Sequence, residues 1–320
     1  MKEGVARFME FVALDHLFPE WKAWDEFVQS VYNMALSLDS LASSHPVEVH
    51  VTHSDEINDV FDAISYAKGA SNIRMLSHYI GLETFMKGMR LYLTRHAYGN
   101  AVSEDFWKAL AEVSGKPLLE FMETWTKVIG FPILQLQGDD NTLTMTTRRF
   151  LASGANATGD SSTTKWPMPV TARVEGTDEV QGPWVIHGPE KDESEALLEQ
   201  VKNWSAAGKW FKLNVDQFGF YRVNYTPEQW ERLASVMDPV GGPLSATDRL
   251  GLISDSFAAG KAGYASIVDS LRLVQGFGDH DTAGTKFYRG VQVFFIMVVS
   301  NLLVSQSMLY GKSFPRIWLR

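Results

Sequence analysis

"FPILQLQ", residues 131–137, is where the chain changes its period. Leu134 and Leu136 alternate with Gln135 and Gln137, which is how a strand presents one face to a core and the other to water. The habit continues in "NTLTMTTRRF" (141–150), "MPVTARVEG" (168–176), "WVIHG" (184–188), "KWFKLNV" (209–215) and "GFYRVNY" (219–225). These segments are short, rich in β-branched and aromatic residues, and separated by Gly, Asp, Asn and Pro turns. They predict a small antiparallel β-sandwich over residues 129–226.

Upstream, apolar residues recur every three or four positions in "VARFMEFVALDHLF", "GASNIRMLSHYIG", "LETFMKGMRLYLTRH" and "SEDFWKALAEVSG", so residues 1–128 read mostly as helices. In the last of these Ser103 reads as the N-cap, Glu104 and Asp105 fill the first turn, and Gly115 with Pro117 ends the helix. Between helices, Val47, Val49 and Val51 alternate with polar residues as in a half-buried strand. Helical spacing returns after Pro227 in "EQWERLASVM", "SATDRLGLISDSFAAGKAG" and "ASIVDSLRLVQGF", the second opening on a Ser or Thr cap. The expected fold class is therefore α+β and multidomain: helices over 1–128, a β-sandwich over 129–226, and a helical region over 227–320 that loses its regular pattern after about residue 275.

Composition limits the function. A chain of 320 residues with 45% hydrophobic content buries a large core. The balance of 29 basic against 38 acidic residues, a formal charge of −9, excludes the electrostatic footprint of a nucleic-acid binder. With no cysteine, no disulfide or thiolate metal site exists, and a metal would need His, Asp or Glu. Residues 1–15 lack a secretory pattern, so the expected location is cytoplasmic and the sequons at Asn156, Asn203 and Asn224 read as chance. The apolar stretch 291–310 is broken by Gln292, Ser300, Asn301, Ser305, Gln306 and Ser307. It reads as a buried helix or an irregular end, since a span needs about 20 predominantly apolar residues.

Eight histidines are present, and none forms a His-Glu-x-x-His pair. His50 and His53 read as structural surface residues. No Gly-x-Ser-x-Gly elbow, phosphate loop or dinucleotide fingerprint occurs.

Four stretches together resemble one family. "KEGVARFMEF" resembles the Asn-Glu-Gly-Phe-Ala segment of the gluzincin zinc aminopeptidases, the aminopeptidase N and puromycin-sensitive aminopeptidase type. "VFDAISYAKGAS" is similar to that family's Ile-Ser-Tyr-x-Lys-Gly-Ala-Ser segment, "WTKVIGFPIL" to its junction between catalytic and β domains, and "GFYRVNY" with "DRLGLISDSF" to the exit from the β domain. Order and spacing agree over residues 3–274.

The resemblance implies that residues 1–128 are the helical C-terminal part of a thermolysin-like catalytic domain, followed by the β-sandwich and the start of a helical domain. It implies Zn2+ as the family cofactor, a peptide as substrate, and removal of N-terminal residues by metal-activated water. Glu3 matches the third zinc ligand and Tyr66 the hydroxyl that stabilises the oxyanion. Asp62, Lys68 and Arg74 fall in the same matched stretch and are expected to pack around or hold those groups. Read without the family, Glu3 is a favourable charge on a helix N-terminus and Tyr66 a buried tyrosine with a satisfied hydroxyl.

The family's two zinc histidines, its general-base glutamate and its amine-binding loop precede the position of Glu3, so these 320 residues are expected to be inactive alone. The expected consequence is a helical region that exposes apolar faces. The alternative is a metal-free module that binds a peptide or protein without hydrolysis.

Overall fold

The computed structural model describes residues 1–49, 62–140, 142–154, 163–238 and 240–276. The stretch 291–310, the sequon at Asn156, and His50, Val51 and His53 lie outside the described residues.

The chain begins with α1 (Lys2–Leu17), followed by a 3-10 turn at Pro19–Trp21. Helix α2 (Ala23–Glu26) runs on through a π-type stretch, Phe27–Tyr32, into α3 (Asn33–Asp39). A second π-type turn, Ile64–Lys68, leads into α4 (Gly69–Ile80), and α5 (Leu82–Arg95), α6 (Ser103–Ser114) and α7 (Leu118–Lys127) follow. Amphipathic spacing decides which faces are buried. Helix α5 hides Phe85, Gly88 and Met89, and α7 hides Leu118, Phe121, Met122 and Trp125. Burying one such side chain fully contributes about 1.5–3 kcal/mol.

Two expectations need correction here. Ser103 is the first residue inside α6 rather than its cap; the Asp105 carboxylate reaches back to accept from the Val102 N–H at 3.1 Å, the back half of a capping box. Gly115 closes that helix at φ 68°, as its lack of a Cβ permits. Val47 and Val49 do not lie in a strand. Val47 is buried and Val49 exposed, whereas residues two apart in a strand would share a face. Glu48 N–H donates to the Thr126 carbonyl at 2.9 Å and ties this irregular segment to α7.

The six strands expected between residues 131 and 225 form: β1 (Pro132–Gln137), β2 (Thr144–Arg149), β3 (Met168–Val174), β4 (Gln181–Ile186), β5 (Phe211–Leu213) and β6 (Arg222–Asn224). They make two three-stranded sheets, ordered β2-β1-β6 and β4-β3-β5. The second is antiparallel throughout, while β1 and β6 pair in parallel. The long connection between β1 and β6 makes that pairing possible, since parallel strands need a crossover. A helix absent from the sequence reading, α8 (Ser194–Ala206), interrupts the strand region and buries Leu197 and Val201, four residues apart.

Helices α9 (Pro227–Ala234), α10 (Ala246–Lys261) and α11 (Ile267–Gln275) follow. The Thr226 and Ser245 hydroxyls accept from the N–H groups of Gln229 and Asp248, as N-caps should. One buried cluster runs from Phe8 through Trp125, Phe131 and Phe220 to Leu273. Polar bonds tie the N-terminal helices to the later elements: Trp125 Nε1 donates to Pro167 O at 2.9 Å, and Tyr32 Oη to Gly219 O at 2.7 Å. The fold is a mixture of helix and small sheets, as an α+β chain should be.

Candidate functional site

Glu3 stands in the first turn of α1, and Gly4 beside it is buried. Here α1 crosses α4 backbone to backbone. A Cβ on Gly4 would lie 2.5 Å from the Gly69 carbonyl carbon, and one on Gly69 would lie 3.0 Å from Gly4 Cα. Two glycines thus set the closest approach, which places the residue before Gly4 next to the turn before Gly69.

That turn carries Tyr66. Hydrogen bonding toward the Glu3 carboxylate, ahead of burial, raises the phenol above its ordinary pKa. The hydroxyl keeps its proton at neutral pH, and that one O–H can serve either Glu3 or another acceptor. Tyr66 is 38% exposed, which corrects the alternative of a buried tyrosine. The Glu3 side chain is 23% exposed and lies 3.8 Å from Lys2 Nζ.

Both ends of the Tyr66 turn are held. At the start, the Asp62 carboxylate accepts from the Ser65 N–H at 3.0 Å and contacts His45 Nε2 at 2.7 Å. Partial burial works to lower the His45 pKa, but the bond to Asp62 prevails and holds it above the ordinary imidazole value. At the other end Lys68 is fully buried. Its Nζ lies 2.9 Å from Asp39 Oδ2 and donates to the carbonyls of Val128 and Gly130 at 3.2 and 3.1 Å. Asp39 Oδ1 in turn accepts from Gly130 N–H and from the Ser44 hydroxyl. Burial lowers the Lys68 pKa, and Asp39 opposes that shift. Asp39 and His45 were not among the expected site residues, and no local pattern around them signals the role.

Arg74, one turn into α4, lies away from Tyr66. It donates to the carbonyls of Gln217 and Asp216 and sits 4.4 Å over the Phe218 ring. Those carbonyls belong to a stretch in which Asn214, Asp216 and Gln217 all have positive φ, a conformation that costs a non-glycine residue about 1–3 kcal/mol and persists only when its surroundings hold it. Arg74 is part of that hold.

A cavity of about 960 Å3 opens beside Glu3, between α1 and α5. Glu3 and Glu48 line it together with apolar side chains. Among the described residues no group of three or more His, Cys, Asp or Glu converges as a metal site. Catalytic zinc takes three protein ligands, so the residues present do not fit such an ion on their own. What they offer is a phenol beside a carboxylate, with the carboxylate of Glu3 on the wall of the cavity. Among the described residues, no helix is long and apolar enough to cross a membrane.

Residues 1–125 match the Peptidase family M1 domain, and residues 210–285 match the ERAP1-like C-terminal domain. Aminopeptidase M1-A of Oryza sativa subsp. japonica is 40% identical over 279 residues, which are 87% of this chain and 30% of the relative. The alanine/arginine aminopeptidase of Saccharomyces cerevisiae is 38% identical over 88% of this chain and 31% of its own length. Aminopeptidase M1 of Arabidopsis thaliana is 38% identical over 87% of this chain, again 31% of its own length. The chain thus spans under a third of the curated relatives it matches.

Proposed function

Because residues 1–125 belong to the peptidase family M1 domain, we propose that this chain carries part of the catalytic site of a zinc aminopeptidase, an enzyme that removes N-terminal residues from peptides. Glu3 is the carboxylate of that site and Tyr66 its oxyanion donor. The observation that carries the reading is the backbone contact of Gly4 with Gly69, which sets Glu3 of α1 beside the turn that carries Tyr66, because a donor and a ligand of one reaction must share one small volume. Loss of a single oxyanion donor typically costs about 2.7–4 kcal/mol of transition-state stabilisation.

The 320 residues contain no His-Glu-x-x-His, so they do not by themselves supply the family's pair of histidine ligands. Alone, the chain holds no stoichiometric zinc and releases no amino acid. Asp62 and Lys68 act by holding the turn that presents Tyr66. The lack of cysteine agrees with a cytoplasmic location. Zinc content after dialysis, combined with an aminoacyl-arylamide assay with and without a chelator, tests the reading. We expect substoichiometric zinc and no chelator-sensitive release; stoichiometric zinc with chelator-sensitive release overturns it.

A second reading, binding of a polypeptide without hydrolysis, is favoured by the cavity beside Glu3.

A further inference from the structure

One short segment grips both ends of the turn that carries Tyr66. Asp39, where the segment begins, pairs with Lys68 at the far end of the turn, and neither side chain is exposed. His45 meets Asp62 at the near end at 2.7 Å, with the two side chains 33% and 36% exposed. The two grips therefore differ in kind: the first is shut away from water, and the second can exchange its proton with it. The Asp39 end is also fastened by its neighbours, since Ser44 Oγ donates to Asp39 Oδ1 and the Ser40 carbonyl accepts from the Ala152 N–H.

Asp62 links His45 to Tyr66. Its Oδ1 accepts from the Ser65 N–H at 3.0 Å and its carbonyl from the Tyr66 N–H at 3.1 Å, while its Oδ2 faces His45 Nε2. The other ring nitrogen, Nδ1, lies 2.8 Å from the Pro46 carbonyl. A carbonyl and an ionised carboxylate can only accept, so both ring nitrogens must donate and the ring carries a positive charge. A neutral imidazole has one N–H and turns a bare lone pair toward one of these acceptors.

Among the described residues, the charged groups that act on His45 are Asp62 and Asp39. Asp39 is already matched by Lys68, and Arg149 acts on Lys68 in turn. Partial burial opposes the charged ring, and the bond to Asp62 outweighs it, so the folded pKa stands above the ordinary one. The contact of such a group is fully present below the unfolded pKa, about 6.5, and is lost as the pH rises through the folded pKa.

We propose that His45 is a positioning residue for Tyr66: the protonated ring holds Asp62, and through it the near end of the turn Ile64–Lys68, and loss of one ring proton to water frees that end while Lys68 keeps the other. This deepens the reading of Tyr66 as the oxyanion donor and rests on it, since the placing of that donor then follows the charge on His45.

The test uses the full chain with carbon-13 histidine and tyrosine, His45 assigned with His45→Gln and Tyr66 with Tyr66→Phe. Three results are expected. His45 titrates above about 6.5, and its midpoint falls in Asp62→Asn, which keeps an acceptor for the Ser65 N–H but removes the charge. The Tyr66 resonance shifts with the same midpoint as His45, and that step is absent in His45→Gln. In His45→Lys, a donor that stays charged across this range, Tyr66 keeps its low-pH position throughout. A merely structural histidine would produce no matched step. A His45 midpoint at or below 6.5, a Tyr66 resonance flat across the His45 titration, or a step that persists in His45→Gln overturns the proposal. The first two are read in the wild type, so they stand even where a variant fails to fold. A flat Tyr66 that still responds to Glu3→Gln overturns the positioning role of His45 and leaves the pairing of Glu3 with Tyr66 in place.

Discussion

Gly4 and Gly69 bring α1 and α4 into backbone contact: a Cβ on Gly4 would meet three backbone atoms of Gly69 and Ala70 at 2.5 to 2.9 Å. The side chains that follow from this crossing are Glu3 on one helix and Tyr66 just before the other. A chain with any larger residue at position 4 must push the helices apart.

Gly4→Ala is therefore expected to lower stability by about 1–3 kcal/mol, the usual cost of overpacking, although alanine favours helix by up to about 1 kcal/mol. The atoms it meets are backbone and cannot rotate away. Urea denaturation checks the sign; a stabilised Gly4→Ala protein would mean that α1 and α4 do not meet as described.

Lys68 and Asp39 form an ion pair at 2.9 Å with neither side chain exposed. Breaking a buried pair by removing one partner costs about 3–5 kcal/mol. Asp39→Asn and Lys68→Met are each expected to destabilise by that order. The double substitution should cost less than their sum, because no lone charge is then left buried. Additive losses in a double-mutant cycle would mean the two charges do not interact.

His78 lies flat on the Phe218 ring at 3.5 Å, and burial against it, with Arg74 nearby, lowers the imidazole pKa to about 4. A group whose folded pKa lies below its unfolded value, about 6.5, binds more protons when unfolded. Its contribution is present above pH 6.5 and fades as the pH falls toward 4. His78 as a whole is nonetheless exposed, its burial confined to the face against Phe218, and solvent screening reduces the effect to about 1 kcal/mol. Denaturation of the wild type and of His78→Gln at pH 7 and pH 4.5 should show a smaller loss of stability in the variant. Equal losses would remove His78 as a source of acid sensitivity.

Much of this architecture was legible in the sequence because it is local. Leu134 and Leu136 alternate with glutamines, and β1 lies there; Ser245 precedes a helical run and caps α10. What could not be read is what depends on distant partners. Ile133 of β1 pairs in parallel with Arg222, a relation that no period in either segment encodes. Helix α8 hid between strands despite Leu197 and Val201, because turn residues on both sides matched a loop as well. At the site, Glu3 and Tyr66 were readable only through matched flanking residues. That Tyr66 stands beside Glu3, and that Asp39 buries its charge against Lys68, follows from helix crossings rather than from spacing.

The most direct measurement is of Tyr66 itself. In protein carrying carbon-13 tyrosine, the Tyr66 resonance, assigned with Tyr66→Phe, is followed against pH in the wild type and in Glu3→Gln. A carboxylate acceptor stabilises the protonated phenol, so Tyr66 should titrate above the ordinary tyrosine value of about 10 and return toward it in Glu3→Gln. A Tyr66 that titrates at the ordinary value, unmoved by Glu3→Gln, would contradict the claim that the two residues form one site.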